Sequence, residues 1–207
     1  MGFKKVAQIN ILDTESQTTP PVTPTEDTYS TENPFVFPVT ENETVVLEAE
    51  RSKLTNTGDA NEQWKLEIKD NADWASQNKF VNSLNANDYI EIPYKAEAAG
   101  TYEVKVFFRS GDPNNKLVWS DEGGNITEGE KAAGSSDSNT TKTETFDLII
   151  INPGEGAWKF TGPASKSPQL DKFEITLKEK TEAGSKKHKK GKEHHKKRKN
   201  TIDNKFL

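Results

Sequence analysis

The feature that most constrains this chain is a two-residue alternation of inward and outward side chains that recurs along its middle. In residues 101–108, Tyr102, Val104, Val106 and Phe108 share one side, between Gly100 and a Ser-Gly-Asp-Pro turn. Successive side chains of a strand point to opposite faces, so this pattern buries one face of a sheet. Residues 64–69 repeat it, with Trp64, Leu66 and Ile68 on one side and Lys65, Glu67 and Lys69 on the other. The closing stretch 170–177 does the same through Phe173, Ile175 and Leu177. Further strand signals lie at 45–50, 88–92 (stopped by Pro93), 116–119, 145–151 and 157–161. No stretch holds a helical period over three turns. About eight short strands punctuated by Gly, Pro, Asn and Asp predict an all-β fold, an antiparallel β-sandwich of jelly-roll type.

Composition divides the rest of the chain. Residues 13–34 are dominated by Thr, Pro, Ser and acids, too polar to offset the entropy of ordering. With the short strand-like run before them, they read as an N-terminal segment and linker over residues 1–42. Linkers of this kind join modules in secreted multidomain bacterial proteins. Residues 43–178 are the expected folded body, and residues 179–207 an expected disordered, Lys-rich tail. Charge follows the same division. Residues 178–207 carry 12 Lys and Arg against 4 Asp and Glu, while residues 1–177 carry 16 against 29. An acidic body thus precedes a basic tail, and residues 186–199 alone hold nine cations, three His and one acid. Such a tail suits polyanions bound by counterion release, or serves as a solvated end that keeps the domain soluble. No aromatic interleaves its charges, so base stacking is not suggested.

Several chemistries are excluded or confined. There is no Cys, hence no disulfide framework, thiolate metal site or cysteine nucleophile. The three His are His188, His194 and His195, all in the tail, so a Ser-His-Asp arrangement would require the tail to fold back over the body. No phosphate-binding glycine loop, nucleophile elbow or H-E-x-x-H motif is present. Paired carboxylates remain open to a glycosidase, but an acidic surface produces close pairs by chance. A noncatalytic chain is the expectation. No apolar run approaches the roughly 18 residues of a span, so no membrane insertion is expected. The start Met1-Gly-Phe-Lys-Lys has no apolar stretch behind it to make a secretory signal.

The two ends of the body carry a second signal. Glu48 and Glu50 fall on one face of the first strand at period two, and Asp171 lies in the last. Carboxylates on one strand face either meet water or hold a cation. With loop carbonyls they form the hard oxygen shell that Ca²⁺ prefers.

The opening L-E-A-E (47–50), the central N-D-Y-I-E-I-P (87–93) followed by A-G-T-Y-E-V-K-V (99–106), and the closing Q-L-D-K-F-E-I (169–175) resemble carbohydrate-binding modules of families six and thirty-five. Order and spacing match over residues 45–177. The resemblance implies a β-sandwich whose first and last strands share a structural Ca²⁺ held by Glu48, Glu50 and Asp171. It also implies noncatalytic binding of an oligosaccharide or polysaccharide, which targets an attached glycan-active enzyme. The phrase N-P-G-E-G-A-W-K-F-T-G-P (152–163) is similar to modules appended to large hydrolases of Gram-positive bacteria. An extracellular place, secreted or attached to the cell wall, and a monomeric state go with that expectation.

Indole faces stack on pyranose C–H groups, and amides pair with hydroxyls. Trp74, in a polar loop with no reason to bury an indole, is the leading sugar platform, with Asn78 beside it. Trp64 reads as core, while Trp119 and Trp158 fit either the core or the rim of a site. Gln169 stands where the family commonly has Asn before the closing Leu-Asp. Family-six modules often carry a stacking Trp in the region corresponding to 134–141, which here has no aromatic. A module that has lost its sugar and acts as a spacer is one alternative. Another is an adhesive or structural surface domain whose basic tail binds polyanions such as glycosaminoglycans.

Overall fold

The computed structural model describes residues 28–56, 65–82, 84, 88–161 and 168–181. These residues form two facing sheets. The first contains β1 (Phe35–Val36), β3 (Lys53–Thr55), β6 (Tyr89–Ala96), β8 (Lys116–Asp121), β9 (Gly129–Ala132) and β11 (Gly154–Thr161). Its order is β1-β6-β11-β8-β9, with β3 also paired to β6. The second contains β2 (Thr44–Glu48), β4 (Glu67–Asp70), β5 (Lys79–Asn82), β7 (Gly100–Arg109), β10 (Lys142–Ile150) and β12 (Gln169–Lys180). Its order is β10-β7-β12-β5-β4, with β2 also paired to β12. Every pairing is antiparallel except β1 on β6. The expected β-sandwich is therefore the fold. Among the described residues, no helix is long and apolar enough to cross a membrane.

The inner faces follow the alternation. Tyr102, Val104, Val106 and Phe108 of β7 are buried, as are Phe173, Ile175 and Leu177 of β12. They meet Ile90, Ile92, Tyr94, Trp158 and Phe160 from the first sheet in one apolar core. Such burial, at roughly 25 cal/mol per Å² of apolar surface removed from water, is the main force holding the sheets together.

Four features depart from the sequence reading. The strand expected to stop at Pro93 runs on to Ala96. Proline cannot donate to a ladder, and Pro93 falls in the gap where β3 pairing ends at Glu91 and β1 pairing starts at Tyr94. The first strand ends at Glu48, so Glu50 is not on its face; it lies in a 3-10 turn, Ala49–Arg51. In the segment expected to alternate from Trp64, Leu66 is buried but Ile68 is 41% exposed on edge strand β4; Trp64 itself lies outside the described residues.

The fourth departure is the domain boundary. Tyr29, Phe35 and Phe37, assigned from composition to the linker segment, are core residues. Phe37 packs edge-on against Tyr94 and Tyr102 and also touches Trp158. The Tyr29 amide donates to the Arg51 carbonyl at 2.7 Å, so the chain is tied in well before residue 43. Polar composition concealed three aromatics that join the core. The expected linker over residues 13–27 and the basic tail from 182 onward lie outside the described residues.

Candidate functional site

Two neighbouring groups of side chains meet around the loop 71–78 at one end of the second sheet. A β-bulge between Leu170 and Lys172 puts one extra residue into β12 against β7. Alternation is broken there, and Leu170 and Asp171 are both buried. Bulges re-aim side chains in this way. Asp171, 3% exposed, turns its carboxylate to Ser76. The Ser76 amide donates to Asp171 Oδ1 at 2.7 Å, and Ser76 Oγ stands 2.6 Å from that same oxygen. Ser76 Oγ is also 2.6 Å from Glu48 Oε2, at the end of β2.

A hydroxyl has one proton to donate. It can serve only one of the two carboxylate oxygens at 2.6 Å at a time. Glu50, 6% exposed, sits in the turn that packs on β5 and β12 beside this pair. All the donors are hard oxygens of the type Ca²⁺ takes. Among the described residues no group of three or more His, Asp or Glu side chains is gathered for a metal ion. The structure thus brings Glu48 and Asp171 together through Ser76 and leaves Glu50 adjacent in the fold.

The same loop carries Trp74. Its ring is half-buried and lies 5.0 Å from Phe80, tilted by 48°. The Arg109 guanidinium lies over the indole at 4.6 Å from the ring centroid. Arg109, the last residue of β7, is paired in register with Gln169, the first of β12. Gln169 Nε2 donates to Asn82 Oδ1 at 3.1 Å, and Asn82 Nδ2 donates to the Lys65 carbonyl at 3.4 Å. Thr141, from the loop before β10, accepts from Arg109 Nε at 3.4 Å. Asn78 is exposed at the end of the Trp74 loop. Gln77 and Asn78 both have positive φ, 53° and 58°. Asn tolerates that conformation and Gln less so, so the loop stores backbone strain beside the indole.

Of the five expected sugar contacts, the structure gathers Trp74, Asn78 and Gln169 at this end and removes two. Trp158 is 0% exposed, packed on Phe160 and Phe173 in the middle of the core. Trp119 is 6% exposed, stacked on Phe146 at 4.2 Å with its indole N–H given to the Thr127 carbonyl. Both sit at inward positions of the first sheet, where a ligand cannot reach them. Sequence reasoning missed Arg109, Asn82 and Ser76. A signal for Arg109 exists: the chain has three Arg among 28 cations, and this one ends a strand at an outward position.

No family model matches the chain, and no curated protein matches it in sequence. Solved structures do. An exo-β-1,3-galactanase from Phanerochaete chrysosporium matches with a TM-score of 0.51 and 20% identity, over 67% of this chain and 30% of that one. The C-terminal family 6 carbohydrate-binding module of a marine laminarinase from Zobellia galactanivorans matches with a TM-score of 0.51 and 15% identity, over 65% of this chain and 99% of the module. The fold is that of a carbohydrate-binding module. A family 35 module from Clostridium thermocellum is also similar, at a TM-score of 0.49 and 25% identity over 64% of this chain and 98% of that one. The chain spans less than a third of the galactanase but nearly all of the family 6 module. Within this module fold, the loop 134–141 contributes no ring to the candidate site and ends at Thr141, which touches Arg109.

Proposed function

We propose that this chain is a noncatalytic carbohydrate-binding module that holds an attached glycan-active enzyme on its polysaccharide or host glycan. The observation that carries the reading is the meeting of Trp74, Arg109, Asn82 and Gln169 at one loop end of a sandwich with a module's fold. The part of the half-buried indole left open beside Arg109 and Phe80 offers a pyranose an apolar surface, and the Gln169 and Asn78 amides offer donors and acceptors to its hydroxyls. One ring and a few polar groups leave little surplus after ordering costs, so a Kd between about 1 μM and 1 mM is expected. The module works outside the cell, secreted or attached to the wall, as a monomer.

Calcium is the second part of the proposal. Glu48 and Asp171, joined by Ser76, with Glu50 from the adjoining turn, would hold it. The ion would supply positive charge between carboxylates and tie β2, β12 and the Trp74 loop into one unit. Supporting this is the pair of carboxylate oxygens that share one hydroxyl at 2.6 Å.

Titration calorimetry of the full chain against neutral and acidic oligosaccharides tests the reading, with β-1,3-galactotriose and laminari-oligosaccharides among them. Trp74→Ala should abolish the binding seen for the wild type and leave the melting temperature within a few degrees. Silence of the wild type across the panel, or unchanged binding by Trp74→Ala, would refute it.

A further inference from the structure

The turn Ser110-Gly-Asp-Pro113 leads from the second sheet to the first, between Arg109 at the end of β7 and Lys116 at the start of β8. Three donors converge there on one main-chain oxygen, the carbonyl of Asp112. Ser110 Oγ donates to it at 2.9 Å, the Ser135 amide at 3.1 Å and the Asn115 amide at 3.3 Å. The bond from Asn115 closes the turn 112–115, and the other two are additional to what a turn requires. Ser110 and Asn115 are both buried. A hydroxyl has one proton, and that of Ser110 is committed to Asp112, because its oxygen already accepts from Asn115 Nδ2 at 2.8 Å and from the Asp112 amide at 3.3 Å. Gly134 makes the Ser135 contact possible, since a Cβ there would overlap the Pro113 carbonyl and push the Ser135 amide away.

The carbonyl polarised in this way belongs to an Asp-Pro bond. The Asp112 carboxyl is turned along the chain, with Oδ1 accepting from the Asn114 amide at 2.8 Å, and among the described residues Oδ2 has no partner. Attack by that oxygen on the residue's own main-chain carbonyl carbon closes a succinic-anhydride ring, an intramolecular approach of the kind that gives high effective concentrations. The three donors surround the oxygen on which negative charge develops as the carbon becomes tetrahedral, which is how an oxyanion hole works. Pro113 supplies the leaving group: a tertiary amide nitrogen with no N–H, which takes a proton more readily than other peptide nitrogens.

We propose that the protein cleaves its own Asp112–Pro113 bond. Oδ2 of the protonated Asp112 carboxyl bonds to the Asp112 carbonyl carbon, the carbon–nitrogen bond to Pro113 breaks, and the carboxyl proton passes to the Pro113 nitrogen. A cyclic anhydride is left on residue 112 and a free secondary amine on residue 113. Water then opens the anhydride to two carboxyl groups, so the net reaction is hydrolysis of a peptide bond with no oxidant or reductant. A primary amine opens it instead to an amide, which joins residues 1–112 to whatever bears that amine. The cut leaves the sandwich assembled, because β7 on one side of the break is paired with β10 and β12 on the other. The activity does not depend on sugar binding.

The full chain, held folded in mildly acidic buffer, is sampled over several days and read by intact mass after denaturation. Fragments ending at Asp112 and beginning at Pro113 should accumulate about tenfold or more faster than in the same buffer with enough guanidinium chloride to unfold the chain. Glycinamide added to the folded protein should appear as an amide on residue 112. Asp112→Ala, which lacks the attacking oxygen, should stay intact. Ser110→Ala, once shown to melt cooperatively, should cleave about tenfold or more slower than the wild type when folded and at the same rate when unfolded, a split that general lability of the bond does not give. A folded wild type that stays intact would overturn the proposal, and so would a cut no faster folded than unfolded, since the fold would then contribute nothing. Folded Ser110→Ala cleaving at the wild-type rate, or fragments that never carry glycinamide, would overturn it as well.

Discussion

Phe37 packs its ring against Trp158 with centroids 5.9 Å apart, and so carries a segment of linker-like composition to the centre of the sandwich. The contact extends the folded body N-terminally beyond the boundary that hydrophobic patterning suggests. Replacing Phe37 with Ala removes a fully buried ring and opens a cavity between the sheets. A loss of about 3–5 kcal/mol follows, read as a lower urea midpoint at unchanged slope. A midpoint within error of the wild type would show that residues 28–42 are not part of the cooperative unit.

The proposed Ca²⁺ site at Glu48, Ser76 and Asp171 predicts that stability depends on the ion. Chelation should lower the melting temperature, and added Ca²⁺ should restore it. Occupancy at a hundredfold excess over Kd contributes about 2.7 kcal/mol. Asp171→Ala should be insensitive to both treatments. A melting curve unmoved by chelator, with no metal found by elemental analysis, would remove the ion from the account.

Alkaline pH should destabilise the fold. The Tyr102 hydroxyl donates to the Ala98 carbonyl at 2.9 Å, and burial pushes its pKa up to about 12. Burial also raises Tyr94 and Tyr29. An unfolded tyrosine ionises near pH 10. A raised folded pKa means that the contribution is fully present below about pH 10 and is lost as pH rises toward about 12, because the unfolded chain then binds fewer protons. Urea midpoints should be flat from about pH 7 to 9 and fall above about 10, less steeply in Tyr102→Phe. Parallel declines in the two proteins would contradict the assignment.

Trp119 belongs to the core, and Gly129 on the neighbouring strand is why it fits. A Cβ at Gly129 would run into the indole at Cζ2, and the ring is held in place by the Phe146 stack and the Thr127 carbonyl. Gly129→Ala should cost about 1–3 kcal/mol through this overlap. A neutral substitution would mean that the ring moves freely, as a rim residue's would.

Much of the fold was legible because period-two burial is a direct consequence of strand geometry: Tyr102 to Phe108 and Phe173 to Leu177 point as their spacing requires. Pro93 misled because its missing donor matters only where a neighbour asks for it, and the gap between β3 and β1 asks for none. Tyr29, Phe35 and Phe37 were hidden by polar surroundings. At the site, Trp74 and Gln169 could be picked out as a loop indole and a terminal amide. Their meeting depends on the register of β7 with β12, which no local pattern encodes. Arg109 and Ser76 act through that same register and the bulge at Asp171. Trp119 and Trp158 were ambiguous because a ring that stacks on sugar and a ring that fills a core look alike in sequence.

Amide and indole chemical-shift mapping by NMR, with the oligosaccharide that binds best, addresses the central claim most directly. The Trp74 indole N–H, the Asn78 backbone and the Gln169 side-chain amide should shift together and saturate with one Kd, while the buried Trp119 and Trp158 indoles stay nearly still. Saturable shifts confined to the outer sheet faces or to the Lys-rich tail, with Trp74 unmoved, would contradict a sugar site at this loop end.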